Sequence, residues 1–187
     1  KQVITIFLQK DKNIELIRKK YIPNYKKIEP HITLVYPFEV KNQAKLKEHI
    51  LNSINKVKPF EISLKGLKKS AKEYYLYLLV NEGKENILNL YNKLNSGVLK
   101  NFKNVDMPVY IAHLSLGVFG SEKRIEEAIK DISKMNISFK TKVKSIQLLT
   151  INEDESLKSS LDFKDSSSFI VKSWIDFTFV LNEIFIL

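Results

Sequence analysis

Two tetrapeptides in this chain share one make-up. His31-Ile32-Thr33-Leu34 and His113-Leu114-Ser115-Leu116 each read histidine, apolar, hydroxyl, leucine. The chain has 3 histidines, and two of them carry the pattern. From the Ser, Thr and Leu content, composition alone would produce this double match in roughly 5 of 10,000 cases, so it stands above the chance hits that short motifs invite. Strand side chains alternate between faces. His31 and Thr33 therefore share one face, with Ile32 and Leu34 on the other, and His113 and Ser115 oppose Leu114 and Leu116 in the same way. Gly117 is expected on the histidine face, leaving room there for a ligand. An imidazole titrates near neutrality, so one ring can accept a proton while a second, protonated ring donates one. Two such strands facing across a cleft would flank a phosphorus atom. Thr33 and Ser115 would then bond its non-bridging oxygens, and the cationic ring would offset developing charge.

This chemistry needs neither a metal nor a covalent intermediate, and no cofactor is expected. The histidines lack the spacing and acidic support of a zinc site, and there is no carboxylate cluster suited to magnesium. His49 lies in an amphipathic helix with no hydroxyl two residues on, and no role is assigned to it. Tyr36 and Phe119 come shortly after the two motifs and are candidates to stack on a base. Both also suit a core, and Tyr36 is out of phase with His31 on a regular strand unless Pro37 bends the chain.

Charge and composition narrow the function further. The formal net charge is +10, and residues 1–80 hold the whole excess. A basic surface attracts phosphate backbones. Arginine occurs only at positions 18 and 124, which argues against base-specific reading by guanidinium forks. The basic loop with Lys26 and Lys27 is placed near the cleft entrance or on a solvated face. The chain lacks cysteine, which excludes disulfides and thiolate chemistry and fits a cytoplasmic protein. No apolar run approaches the ~18 residues that span a bilayer. Lys1–Lys10 reads as a strand and not a signal peptide.

The elements that must position the histidines are set by periodicity. Strands are predicted at 3–8, 32–36, 60–67, 74–80, 109–119, 137–144 and 145–151, and within 169–179. Helices are predicted at 11–20, 42–57, 85–99 and 121–134, with Asp11 and Ser121 as N-caps and Gly97 as a stop. Residues 152–168, acidic and serine-rich, read as a loop, and 185–187 closes against the core. Each histidine strand precedes a helix and a strand pair, which predicts an α+β fold of two similar lobes related by a rough twofold. At 187 residues this suits a single bilobal domain over 1–187.

The motifs resemble the H-x-[S/T]-h signatures of the 2H phosphoesterase superfamily, which includes the 2′-5′ RNA ligase-like proteins and cyclic phosphodiesterases. Pro30-His31-Ile32-Thr33-Leu34-Val35-Tyr36-Pro37-Phe38 is similar to the first signature, flanking prolines included. His113-Leu114-Ser115-Leu116-Gly117 is similar to the second, with serine in place of the commoner threonine. The resemblance implies a bilobal α+β fold, with antiparallel sheets and outer helices around a central cleft. It implies metal-independent chemistry on RNA-type phosphodiesters: 2′,3′-cyclic phosphates or 2′-5′ linkages, by hydrolysis or ligation. The expected partner is RNA or a nucleotide, the expected state a monomer away from membranes. Two alternatives stay open: an RNA-end or nucleotide-binding module with little turnover, and a hydrolase of cyclic oligonucleotide signals.

Overall fold

The structure of the protein, a computed structural model, describes residues 1–151 except 24, 28, 71–73, 104–108 and 136, together with the strands at 157–159 and 170–172. Strand β1 (Gln2–Phe7) leads to helix α1 (Lys12–Tyr21), where the Asp11 carboxylate accepts from the backbone N–H groups of Asn13 and Ile14 and so satisfies two orphan donors. A 3₁₀ turn (Tyr25–Lys27) precedes β2 (His31–Phe38), and α2 (Gln43–Ile54) comes next with Asn42 as its cap. Then come β3 (Phe60–Lys69), β4 (Tyr75–Val80) and α3 (Lys84–Leu94). Gly83 opens α3 at φ 72, where a Cβ would lie 2.3 Å from the Glu61 carbonyl oxygen, so only glycine fits. A 3₁₀ helix (Gly97–Phe102) leads on to β5 (His113–Val118), Ser121-capped α4 (Glu122–Ser133), β6 (Phe139–Val143), β7 (Ser145–Ile151), β8 (Leu157–Ser159) and β9 (Ile170–Lys172).

Three expectations change. The helix predicted to 99 stops at Leu94, because the Asn95 side chain folds back to donate to the Leu34 and Tyr91 carbonyls, an alternative to continued helix. The strand predicted from 109 begins at His113. The acidic segment expected to be a loop contains β8, three residues too short for periodicity to reveal. Phe185–Leu187 lies outside the described residues. His49 is a helix brace: its Nε2 donates to the Leu94 carbonyl at 2.9 Å.

The strands form two sheets. One runs β2-β1-β7-β8 with β9 parallel on β7, and the other runs β5-β4-β3-β6, antiparallel throughout. We call them the β1 sheet and the β4 sheet. Both histidine strands are edge strands, and β2 and β5 adjoin where the sheets meet. The expected α+β fold of antiparallel sheets with outer helices is observed, but the lobes are not successive halves of the chain. Helix α1, between the two β1-sheet strands β1 and β2, packs on β5 of the other sheet. Helix α3, between β4 and β5, packs on β2 and against α2, while α4 covers β3 and β4. β3 from the first half joins β4, and β7 from the second joins β1. One continuous apolar cluster results, from Ile6 and Ile32 in one sheet through Leu78 and Leu114 in the other. Among the described residues no helix is long and apolar enough to cross a membrane.

Candidate active site

The two histidines occupy matching local settings. His31 Nδ1 lies 2.9 Å from the Glu29 carbonyl, and His113 Nδ1 lies 2.7 Å from the Ile111 carbonyl, each two residues upstream. A carbonyl only accepts, so in the neutral ring Nδ1 carries the hydrogen and Nε2 keeps the lone pair. Neither Nε2 has a hydrogen-bond partner among the described residues. Each ring is also backed by an aromatic: Phe7 edge-on to His31 at 6.3 Å, and Tyr77 tilted against His113 at 4.0 Å.

Burial sets the electrostatics. It lowers the pKa of His31 to about 4, against a smaller upward pull from the Glu29 carbonyl, with Arg18 and His113 adding to the depression. Burial also lowers the pKa of His113, opposed by the Ile111 carbonyl and aided by Lys68. The rings therefore lie close enough for the charge of one to be felt at the other. Among the described residues every charged side chain acting on them is cationic, and no carboxylate takes part. Arg18 is itself buried, with Nη1 on Glu15 at 2.9 Å and Nη2 on the Tyr25 carbonyl at 3.2 Å, and this ties α1 to the turn ahead of β2. Lys26 is exposed on that turn, and the Lys27 side chain lies outside the described residues.

The hydroxyl residues stand where alternation puts them. Thr33 pairs with Thr5 of β1, and Ser115 with Tyr77 of β4. Both are half-buried, and neither hydroxyl is hydrogen-bonded within the described residues. Immediately beyond each hydroxyl the strand bulges. Pairing passes from Thr33↔Thr5 to Val35↔Ile4 and from Ser115↔Tyr77 to Gly117↔Leu76, so Leu34 and Leu116 are extra residues. A bulge reverses the side-chain phase of the residues beyond it, and this decides the placement of three residues. Gly117 does not face the histidines: it is buried, and a Cβ there would lie 2.9 Å from both the Phe119 ring and Tyr21 Cβ. Phe119 turns to the core, 8% exposed and 5.4 Å from the Tyr21 ring. Tyr36 is carried to the histidine face, half-buried, with its phenol held above its usual pKa by burial and by the nearby Tyr77 and Tyr91.

Neighbours that the sequence did not single out complete the site. On the histidine face of the β1 sheet Thr5 lies between Thr33 and Gln147, and Gln147 Oε1 accepts from the Phe7 backbone N–H at 3.1 Å. Across β4, Tyr77 lies between Ser115 and Lys68. Tyr110, stacked on Tyr91 at 3.8 Å, donates its hydroxyl to the Thr33 carbonyl at 2.8 Å and so ties the approach to β5 onto β2. The alternating Tyr75 and Tyr77 were a visible signal in β4, but which strand they adjoined was not. Among the described residues no three His, Asp or Glu side chains converge closely enough to hold a metal ion.

Comparison with known proteins bears on the family and the fold. A protein of Geobacillus sp. (strain WCH70), provisionally named a phosphoesterase, is 30% identical over 139 residues, covering 71% of this chain and 76% of that protein. A similarly named protein of Bacillus licheniformis is 26% identical over 136 residues, covering 71% and 78%. Among solved structures, apo LigT of E. coli shares the fold at a TM-score of 0.53 and 16% identity, covering 81% of this chain and 88% of that one. TT0787 of Thermus thermophilus does so at 0.53 and 13%, covering 80% and 87%. Residues 7–155 match the sequence profile of the 2′-5′ RNA ligase superfamily, and the chain belongs to that superfamily of 2H phosphoesterases.

Proposed function

We propose that the protein cleaves or forms an RNA-type phosphodiester, a 2′,3′-cyclic phosphate or a 2′-5′ linkage, with His31 and His113 as the proton-transfer pair. The observation that carries this reading is the environment of the rings: two neutral imidazoles with free Nε2 atoms, within each other's electrostatic reach and influenced only by cations among the described residues. Such a site has no carboxylate acting on its rings among the described residues and is suited to an anion, whose arrival raises both imidazole pKa values. One Nε2 takes the proton of the attacking water or ribose hydroxyl. The other, protonated in the bound state, gives a proton to the departing ribose oxygen as its bond to phosphorus breaks. Thr33 and Ser115 donate to the non-bridging oxygens, and Tyr36 offers a face to the nucleoside. That LigT of E. coli, which shares the fold, has been solved with 3′-AMP is in keeping with a nucleotide ligand here.

The test is turnover of 2′,3′-cyclic nucleotides and 2′-5′ dinucleotides with EDTA present, by the wild type and by a folded His31→Ala/His113→Ala double variant. Hydrolysis that disappears in the variant supports the reading. Undiminished turnover by the variant overturns it. RNA binding by the wild type with no turnover of any substrate would leave a binding module instead.

A further inference from the structure

The two polar rows beside the histidines differ in how far a ligand can extend along them. In the β1 sheet the row Thr33–Thr5–Gln147 is closed, with Thr5 1% and Gln147 3% exposed. In the β4 sheet the row Ser115–Tyr77–Lys68 is open: Ser115 and Tyr77 are half-buried and Lys68 is exposed. Lys68 reaches this face only because β3 is itself bulged. Pairing shifts from Leu64↔Val80 to Leu67↔Leu78 across Gly66, at φ 87. An unbroken ladder would set Leu67 opposite Tyr77 and turn Lys68 to the core side. Adjacent Lys69 is neutralised by Glu122, whereas Lys68 has no ion-pair partner among the described residues and its charge is felt at His113. Along β4, the Tyr75 ring stacks beside Tyr77 at 6.2 Å with 19° between planes. Aromatic faces leading away from one catalytic candidate, flanked by an available cation, are what single-stranded nucleic acid needs for base stacking and phosphate contact.

We propose that this open row is a second subsite, holding the nucleotide that flanks the reacting phosphodiester, with its base on Tyr77 and Tyr75 and its phosphate on Lys68. The substrate class is then a single-stranded RNA end rather than an isolated cyclic mononucleotide. The proposal rests on the reading of the histidine pair as a phosphodiester site. Two strand spacings, about 10 Å at the backbone, separate Ser115 from Lys68, which suits the next phosphate along better than the reacting one. Among the described residues the β1-sheet row is closed at Thr5 and Gln147, so the open row is the side along which the strand would leave.

Fluorescence anisotropy with a 5′-labelled trinucleotide ending in a 3′-phosphate, and competition by a nucleoside 3′-monophosphate, test this without requiring turnover. The wild type should prefer the trinucleotide at least tenfold. Lys68→Met should weaken the trinucleotide about tenfold more than the mononucleotide, and lower the log–log salt slope by ~0.7, the contribution of one single-strand phosphate contact. Tyr77→Leu should lose roughly tenfold on the trinucleotide, and Tyr77→Phe, which keeps the stacking face, should retain the affinity. Equal losses on both ligands, an unchanged salt slope, or no trinucleotide preference in the wild type overturns the subsite. If trinucleotide binding depends on Lys68 but nothing is turned over, the catalytic reading fails and the subsite stands. If cyclic mononucleotides are hydrolysed but the trinucleotide has no advantage, the subsite alone fails. Thermal midpoints of each variant separate lost binding from lost folding.

Discussion

At the histidines the two sheets are near copies. Each ring is oriented by the carbonyl two residues before it, shares a face with a hydroxyl two residues after it, and is succeeded by a bulge in the same place. One strand further in, the copies diverge: Thr5 and then buried Gln147 on one side, Tyr77 and then exposed Lys68 on the other. On the proposed function, the likeness lies where two proton-transfer groups would meet a common phosphorus from opposite sides. The difference lies where a ligand must be oriented, and a symmetric cleft would hold an asymmetric phosphodiester in either direction equally well.

The sharpest way to break this comparison is at the rings. His31→Ala and His113→Ala should each lower kcat/KM on a 2′,3′-cyclic nucleotide on the order of 100-fold or more, and the double variant should be little worse than either, since a pair acting as a unit is not additive. A large loss in one and none in the other would show that the copies have taken different roles. Removing the hydroxyls should cost less: Thr33→Val and Ser115→Ala are each expected to lower kcat/KM by up to about 100-fold, and the ratio of the two losses measures how evenly the phosphate is held.

Acid dependence probes the burial that the rings share. In the folded protein His31 titrates near pH 4, against 6.5 in the unfolded chain. The unfolded chain therefore binds more protons between those values, so the stability is fully present above pH 6.5 and is lost as pH falls toward 4. Urea midpoints measured across this range should fall with pH in the wild type and fall less steeply in His31→Asn. Anion binding should take up protons near pH 6, visible in calorimetry as a heat that depends on the buffer's ionisation enthalpy.

The smallest effect compares two buried threonines whose hydroxyls have no partner among the described residues, Thr5 on the histidine face and Thr141 on the core side of β6. Removing a buried, unbonded hydroxyl relieves a desolvation cost, so Thr5→Val and Thr141→Val should each stabilise the protein by about 1 kcal/mol. Only Thr5→Val, beside Thr33, should also lower kcat/KM, by several-fold. Equal activity in both would show that the closed row serves packing alone.

Much of the molecule was legible before its shape was known. The duplicated motif, the shared face of each histidine and its hydroxyl, the caps at Asp11 and Ser121 and the four helices all arise from patterns a few residues long, which the chain carries wherever it goes. The features that escaped depended on the neighbouring strand. Counting in twos sets Gly117 on the histidine face and Tyr36 off it, and a single inserted residue in each strand reverses the count; for Phe119, a stacking candidate that also suits a core, the fold decides for the core. Thr5, Tyr77 and Lys68 became neighbours of the motifs only through ladders linking residues far apart in the chain.

The exchange of α1 and α3 between the sheets was hidden for the same reason, since an apolar helix stripe records that it is covered but not by what. Local chemistry and periodicity belong to the sequence by itself, because they depend on bonded neighbours and on rules of strand and helix geometry. Register, bulge phase and the meeting of β2 with β5 belong to the tertiary structure, because they are settled by the packing of segments that no local pattern names.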